Sequence, residues 1–174
     1  MPSASPLPSL PALLPACGHH GAQVKPWPHA TPSSPATSRS ARTDLDATAM
    51  IRAYSATGGV ASGDTIASLL RPHTDQPISR IARWIVAGHV VSFVWRSETL
   101  LPLFQFDLAS MSVRPGTLSV ITELSGALDN WELARWFAQP NACLAGAAPA
   151  DTIAADLSAV LRAARTDRLV INGF

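Results

Sequence analysis

From Thr43 onward, apolar positions fall mostly at helical spacing, with one stretch at strand spacing. Asp44–Ala56 carries Leu45, Ala49, Ile51 and Ala53, which predicts a short helix ending at Gly58-Gly59. Ser62-Gly63-Asp64 opens a second helix with Ile66, Leu69 and Leu70 on one face, stopped by Arg71-Pro72. After a turn at Asp75-Gln76-Pro77, Ile78, Ile81, Trp84 and Ile85 mark the buried side of a third helix, which Gly88 ends. Val90–Trp95 is β-branched and aromatic and predicts a strand. A polar turn, Arg96–Thr99, leads to a returning strand, Leu100–Phe106, and Pro102 inside it requires an unpaired edge there.

Pro115-Gly116-Thr117 begins a fourth helix, with Thr117 as the expected cap and Leu118, Ile121, Leu124 and Leu128 as its stripe. Asp129 and Glu132 stand three apart, as a capping box requires, at the start of a helix carrying Trp131, Trp136 and Phe137 that Pro140-Asn141 ends. Ile153, Leu157, Val160, Leu161 and Ala164 then predict a last helix starting near Asp151. These elements predict a mainly α fold: a helix-turn-helix-like half with one β-hairpin over residues 43–107, then a helical half over 108–174. Residues 1–41 are Pro-, Ser- and Ala-rich without periodicity, and are expected to be a disordered tail.

Composition narrows the function. Of 174 residues, 47% are apolar and 14% charged, with a formal net charge of +1. A core is affordable, while bulk electrostatics single out neither nucleic acid nor a membrane surface. No apolar run reaches membrane-spanning length. Cys17 and Cys143 lie in unrelated contexts, which argues against a disulfide framework and fits the cytoplasm. His19, His20 and His29 sit in the tail, where no scaffold sets a metal geometry, so neither metal nor cofactor is expected. His73, His89, Asp107 and Cys143 are scattered singly and show no nucleophile–base spacing, so recognition is expected rather than catalysis.

Two stretches could do the recognising. Helix, turn, helix and hairpin in that order is the order of a winged helix, in which the third helix would enter a major groove and Arg80, Arg83, His89 and Arg96 would touch phosphate or bases. The other is the chain's close. Arg162, Arg165 and Arg168 near the C-terminal end of the last helix suit its dipole, and Leu169–Phe174 is apolar enough to dock on its own core or on a partner.

Pro102, Phe104-Gln105-Phe106-Asp107, the Trp131…Trp136-Phe137 helix, Pro140-Asn141, Leu144…Gly146, Pro149…Asp151 and the closing Ala-rich helix form a further pattern. In it, roughly the last seventy residues resemble the toxin-binding domain of Xre-, MbcA- and ParS-type antitoxins. The resemblance implies a non-catalytic protein that covers the active site of a cognate RES-domain toxin with its C-terminal region. It also implies an N-terminal part that often binds a DNA operator, and self-association stays open. The expected toxin-binding residues are Arg165, Arg168, Val170, Ile171, Asn172, Gly173 and Phe174, with the tail entering a cleft as an extended plug and the arginines pairing with acidic groups at its rim.

Overall fold

The computed structural model describes residues 36–173, with side chains from Asp44. The expected tail therefore lies outside the described residues as far as residue 35, and residues 36–41 belong instead to helix α1 (Ala36–Ala53). A 3₁₀ turn, Tyr54–Thr57, continues α1 and ends at Gly58, whose φ of 98° is the left-handed conformation that a glycine takes without strain. The inward face of α1 and its 3₁₀ extension is Ala47, Met50 and Tyr54, and not the predicted stripe: Leu45 is 72% exposed. Tyr54 decides the phase of this helix. Its ring is fully buried, and its hydroxyl donates to the Ala134 carbonyl oxygen at 2.6 Å.

Strand β1 (Val60–Ser62) follows, and its last residue doubles as a cap. Ser62 Oγ accepts from the Thr65 amide, starting α2 (Gly63–Leu70), which buries Ile66, Ala67 and Leu70. Helix α3 (Pro77–Val86) takes Pro at its first turn, where the missing N–H costs nothing. It buries Ile81 and half-buries Trp84 and Ile85, but Ile78, expected on the buried side, is 71% exposed. Strands β2 (Phe93–Trp95) and β3 (Glu98–Pro102) form the hairpin, joined by only Arg96 and Ser97. The antiparallel sheet has the order β1-β3-β2.

Central strand β3 is a wall between two apolar clusters. Side chains alternate across a strand, and here Leu100 joins one cluster while Leu101 joins the other. The smaller cluster gathers Ile66, Leu70, Ile81, Val90, Leu101, Phe106 and Met111, and packs α2 and α3 on one sheet face. The larger gathers Met50, Tyr54, Val91, Phe93, Leu100 and Phe104 with the helices that follow the sheet. Residues on both sides of position 107 therefore share one core.

β2 is shorter than the predicted strand, because Val90–Ser92 finds no strand partner. Gln105 takes that role. Its fully buried amide accepts from the Val91 N–H at 2.7 Å and donates to the Val91 carbonyl at 2.9 Å and the Pro102 carbonyl at 2.9 Å. A side-chain amide thus satisfies the buried backbone groups that a neighbouring strand would otherwise serve. The pairing with β2 stops at Leu100, so Pro102 faces no ladder partner on that side, as its missing donor requires. Leu103–Gln105 is a 3₁₀ turn, and a second small hairpin follows, β4 (Phe106–Asp107) with β5 (Ser112–Val113).

Helix α4 (Pro115–Leu124) starts one turn earlier than a Thr117 cap would place it: Arg114 holds the cap position, and Thr117 is buried inside the helix. Helix α5 (Asn130–Ala138) shows the predicted capping box, with the Glu132 amide donating to Asp129 Oδ1 at 2.8 Å and the Asp129 amide to Glu132 Oε2 at 2.9 Å. The predicted last helix is two helices. Short α6 (Pro149–Thr152) ends before Asp156, which caps α7 (Leu157–Ile171) by accepting from the Ala159 amide. Ile153 accordingly lies outside α7, in the turn that joins the two helices. The architecture is mainly helical with a small antiparallel sheet.

Candidate protein-binding site

A stack of aromatic rings carries the core out to α7. Tyr54 lies parallel to Phe104 at 5.7 Å, Phe104 meets Phe137 at 4.9 Å, and Phe137 and Trp136 stand nearly perpendicular at 5.0 Å. Phe137 is fully buried and Trp136 only half-buried, because its indole reaches outward to α7. There its N–H donates to Asp167 Oδ2 at 2.7 Å. The same oxygen accepts from Asn141 Nδ2 at 2.7 Å, and Asn141 Oδ1 accepts from the Cys143 amide. The Trp136, Phe137 and Asn141 of the sequence pattern are thus scaffold residues, as are Gln105 and Phe104.

Helix α7 lies against α4 through Val160, Ala163 and Ala164, all fully buried. The two helices approach closely: a Cβ placed on Gly116, in the first turn of α4, would come within 2.9 Å of Leu157 Cδ2. Farther along α7, Glu123 of α4 takes both predicted arginines. Its Oε2 lies 3.3 Å from Arg165 Nε and its Oε1 3.0 Å from Arg168 Nη1. One carboxylate faces two guanidinium groups, and both arginines keep much of their surface in solvent.

Beyond Arg168 the chain stays helical through Ile171, so the last residues are not an extended plug. Asn172 closes the helix, and Gly173 follows with a φ of 81°. Leu169, Val170 and Ile171 are 51%, 67% and 46% exposed, so this turn does not dock on the chain's own core. Phe174 lies outside the described residues. Arg165, Arg168, Val170, Ile171, Asn172 and Gly173 are therefore brought together on one helix end, as an apolar tip behind two solvent-exposed guanidinium groups. The sequence reading missed Glu123 and Asp167. Asp167 left a legible trace, since a carboxylate in the last turns of a helix opposes the dipole and calls for a specific partner.

The residues expected to meet DNA are divided between two elements. Arg80, Arg83 and His89 line one groove of about 720 Å³ with Trp84 and Val86. The Arg80 guanidinium sits 5.1 Å from the Trp84 ring centre, and Arg83 Nε donates to the Ser79 carbonyl. Arg96 stands at the hairpin tip with its guanidinium 4.3 Å over Trp95. Trp95 is in turn tied to α1 by an N–H donated to Asp44 Oδ1 at 2.9 Å.

His73, His89 and Asp107 are exposed and Cys143 half-buried, each on a different part of the chain. Backbone N–H groups, that of Ala109 first, hold the Asp107 carboxyl below the usual carboxylate range, and burial pushes the Tyr54 phenol well above its usual range. Among the described residues no group of three or more His, Cys, Asp or Glu could hold a metal ion, and no helix is long and apolar enough to cross a membrane. No family model matches the chain, nor does any curated protein or solved structure.

Proposed function

We propose that this chain is a non-catalytic, antitoxin-like protein that binds and neutralises a RES-type toxin through the end of α7. The observation that carries this reading is the exposed apolar turn Leu169–Ile171 behind Arg165 and Arg168. An apolar tip flanked by exposed guanidinium groups suits a cleft with apolar walls and an acidic rim. The resemblance of the last seventy residues supplies the class of partner. The test is co-purification with a RES-domain protein encoded beside it, for the full chain and for a chain lacking Leu169–Phe174. The truncated chain should keep its thermal transition and lose most of its affinity. Equal binding by the truncated chain would refute the reading.

A second reading, DNA binding by α3 and the hairpin, is favoured by one observation. The chain order β1-α2-α3-β2-β3 with sheet order β1-β3-β2 is that of a winged helix, and Arg96 stands at the hairpin tip beside Trp95, which is anchored to α1. Contacts of Arg80, Arg83, His89 and Arg96 with phosphate would make operator affinity fall steeply with salt. Gel-shift titration of the upstream DNA at two salt concentrations tests it, and absence of any retarded species would exclude it.

A further inference from the structure

We propose that Asp167 and Glu123 are positioning residues that clamp α7 from two sides and hold its apolar last turn preformed for the partner. The inference rests on the reading that this turn binds a partner. Residues advance about 100° per position around a helix. Arg165 and Arg168 therefore share one flank of α7, where Glu123 of α4 holds them, and Asp167 falls on another flank. There Trp136 of α5 and Asn141 of the following turn converge on a single carboxylate oxygen.

The contacts differ in kind as well as in direction. Asp167 accepts two short charge-assisted hydrogen bonds, from groups that are themselves fixed: Trp136 by Phe137, and Asn141 by the Cys143 amide. The Glu123 side chain is only 17% exposed, so solvent screens its pairs less than it screens the outer ends of the arginines. Asp167 sits against the helix dipole, so local helix stability does not explain a carboxylate at this position.

Past Arg168 no burial holds the chain. Leu169–Ile171 are exposed, and a helix end without tertiary contacts frays. Hydrogen bonds such as that from the Asn172 amide to the Arg168 carbonyl propagate order outward only from a turn that is already fixed. The clamp at 165–168 is that fixed turn. A partner then meets three apolar side chains already in helical array, and their ordering is complete before contact.

The test uses the full chain. Amide hydrogen exchange is followed at Asn172 and Gly173, and at Ile121 and Phe137 in the core, for the starting protein and for Asp167→Ala, Glu123→Ala and Asp167→Asn. Exchange at the helix end should accelerate roughly tenfold to hundredfold in the two alanine variants, the range that loss of charge-assisted hydrogen bonds sets. Core amides should hold their rates. Asp167→Asn keeps an acceptor oxygen without the charge and should restore roughly half of the protection on a logarithmic scale. Affinity for the co-purified RES-domain toxin should weaken in the alanine variants and recover in part in Asp167→Asn. Unchanged exchange at Asn172, or an equal loss throughout the core, overturns the clamp. Faster exchange without weaker binding, in a chain whose binding does need Leu169–Phe174, overturns its role in recognition. If deleting Leu169–Phe174 leaves binding intact, the partner reading fails and this assignment falls with it, while the exchange rates still report whether the clamp exists.

Discussion

Replacing Gln105 with Leu removes a side chain that serves three buried backbone groups while nearly preserving its volume. The Val91 N–H, the Val91 carbonyl and the Pro102 carbonyl all lose their partner, and Gln105 and Val91 are both fully buried, so water does not replace it readily. Leaving one buried backbone group unsatisfied costs about 1–3 kcal/mol, so the three together cost about 3–9 kcal/mol; the leucine returns about 1.5–3 kcal/mol of apolar transfer, and the net loss at mid-range should be about 4 kcal/mol. That is a large share of the roughly 5–15 kcal/mol by which domains are stable. Urea unfolding at neutral pH measures it directly. Gln105→Glu gives a second, independent signature. The introduced carboxylate can still accept from Val91 but presents lone pairs to two carbonyl oxygens. The folded state then favours the protonated form, so the carboxyl's folded pKa lies above its unfolded value of about 4.3. The penalty is absent below the unfolded pKa and grows as pH rises to the folded pKa. This variant should therefore regain stability on acidification relative to the starting protein. A loss below about 1 kcal/mol for Gln105→Leu, with no recovery of Gln105→Glu at low pH, would mean that the amide does not hold this segment.

Tyr54→Phe removes the second donor of the Ala134 carbonyl, which keeps its partner within α5, and should cost about 0.5–1.5 kcal/mol in urea unfolding; a neutral result would show that this bond adds nothing to stability. Ser97→Gly should raise stability by about 1 kcal/mol, because Arg96 and Ser97 hold φ values of 50° and 65° that glycine adopts without strain; a lower melting temperature would count against strain at the tip. Asp107 has a depressed folded pKa, so its contribution is complete above the ordinary carboxylate pKa and is lost as pH falls through the folded value. Stability of Asp107→Asn should consequently fall less on acidification, and parallel pH profiles for the two proteins would refute this.

What the sequence made legible was local chemistry. Asp129 and Glu132 announced their capping box, Gly58 its helix end, and Pro102 the limit of a ladder, because each signal lies within a few residues of the structure it sets. The errors arise where a distant contact decides. The turn after α1 points Tyr54 inward, where its hydroxyl donates to the Ala134 carbonyl 80 positions away, and no nearby residue reveals that. Strands β1, β4 and β5 have two or three residues each, too short for alternation to show. The stripe running from Ile153 to Ala164 looked continuous, yet the Asp156 cap restarts the helix inside it. At the candidate site the apolar residues and arginines were visible, whereas Glu123, which gathers the arginines from another helix, was not.

The wall formed by β3 also bears on how fast the chain can fold. Helical proteins usually fold quickly because their contacts are local. Here β3 needs β1 on one side and β2 on the other, with α2 and α3 intervening between β1 and the hairpin. Both apolar clusters close around that strand. The bonds that seal the larger one join residues far apart, 80 positions for Tyr54 with Ala134 and 51 for Trp95 with Asp44. Closing such loops costs entropy before any contact compensates it. Despite its helical content, this domain should refold at the pace of a mixed α/β protein.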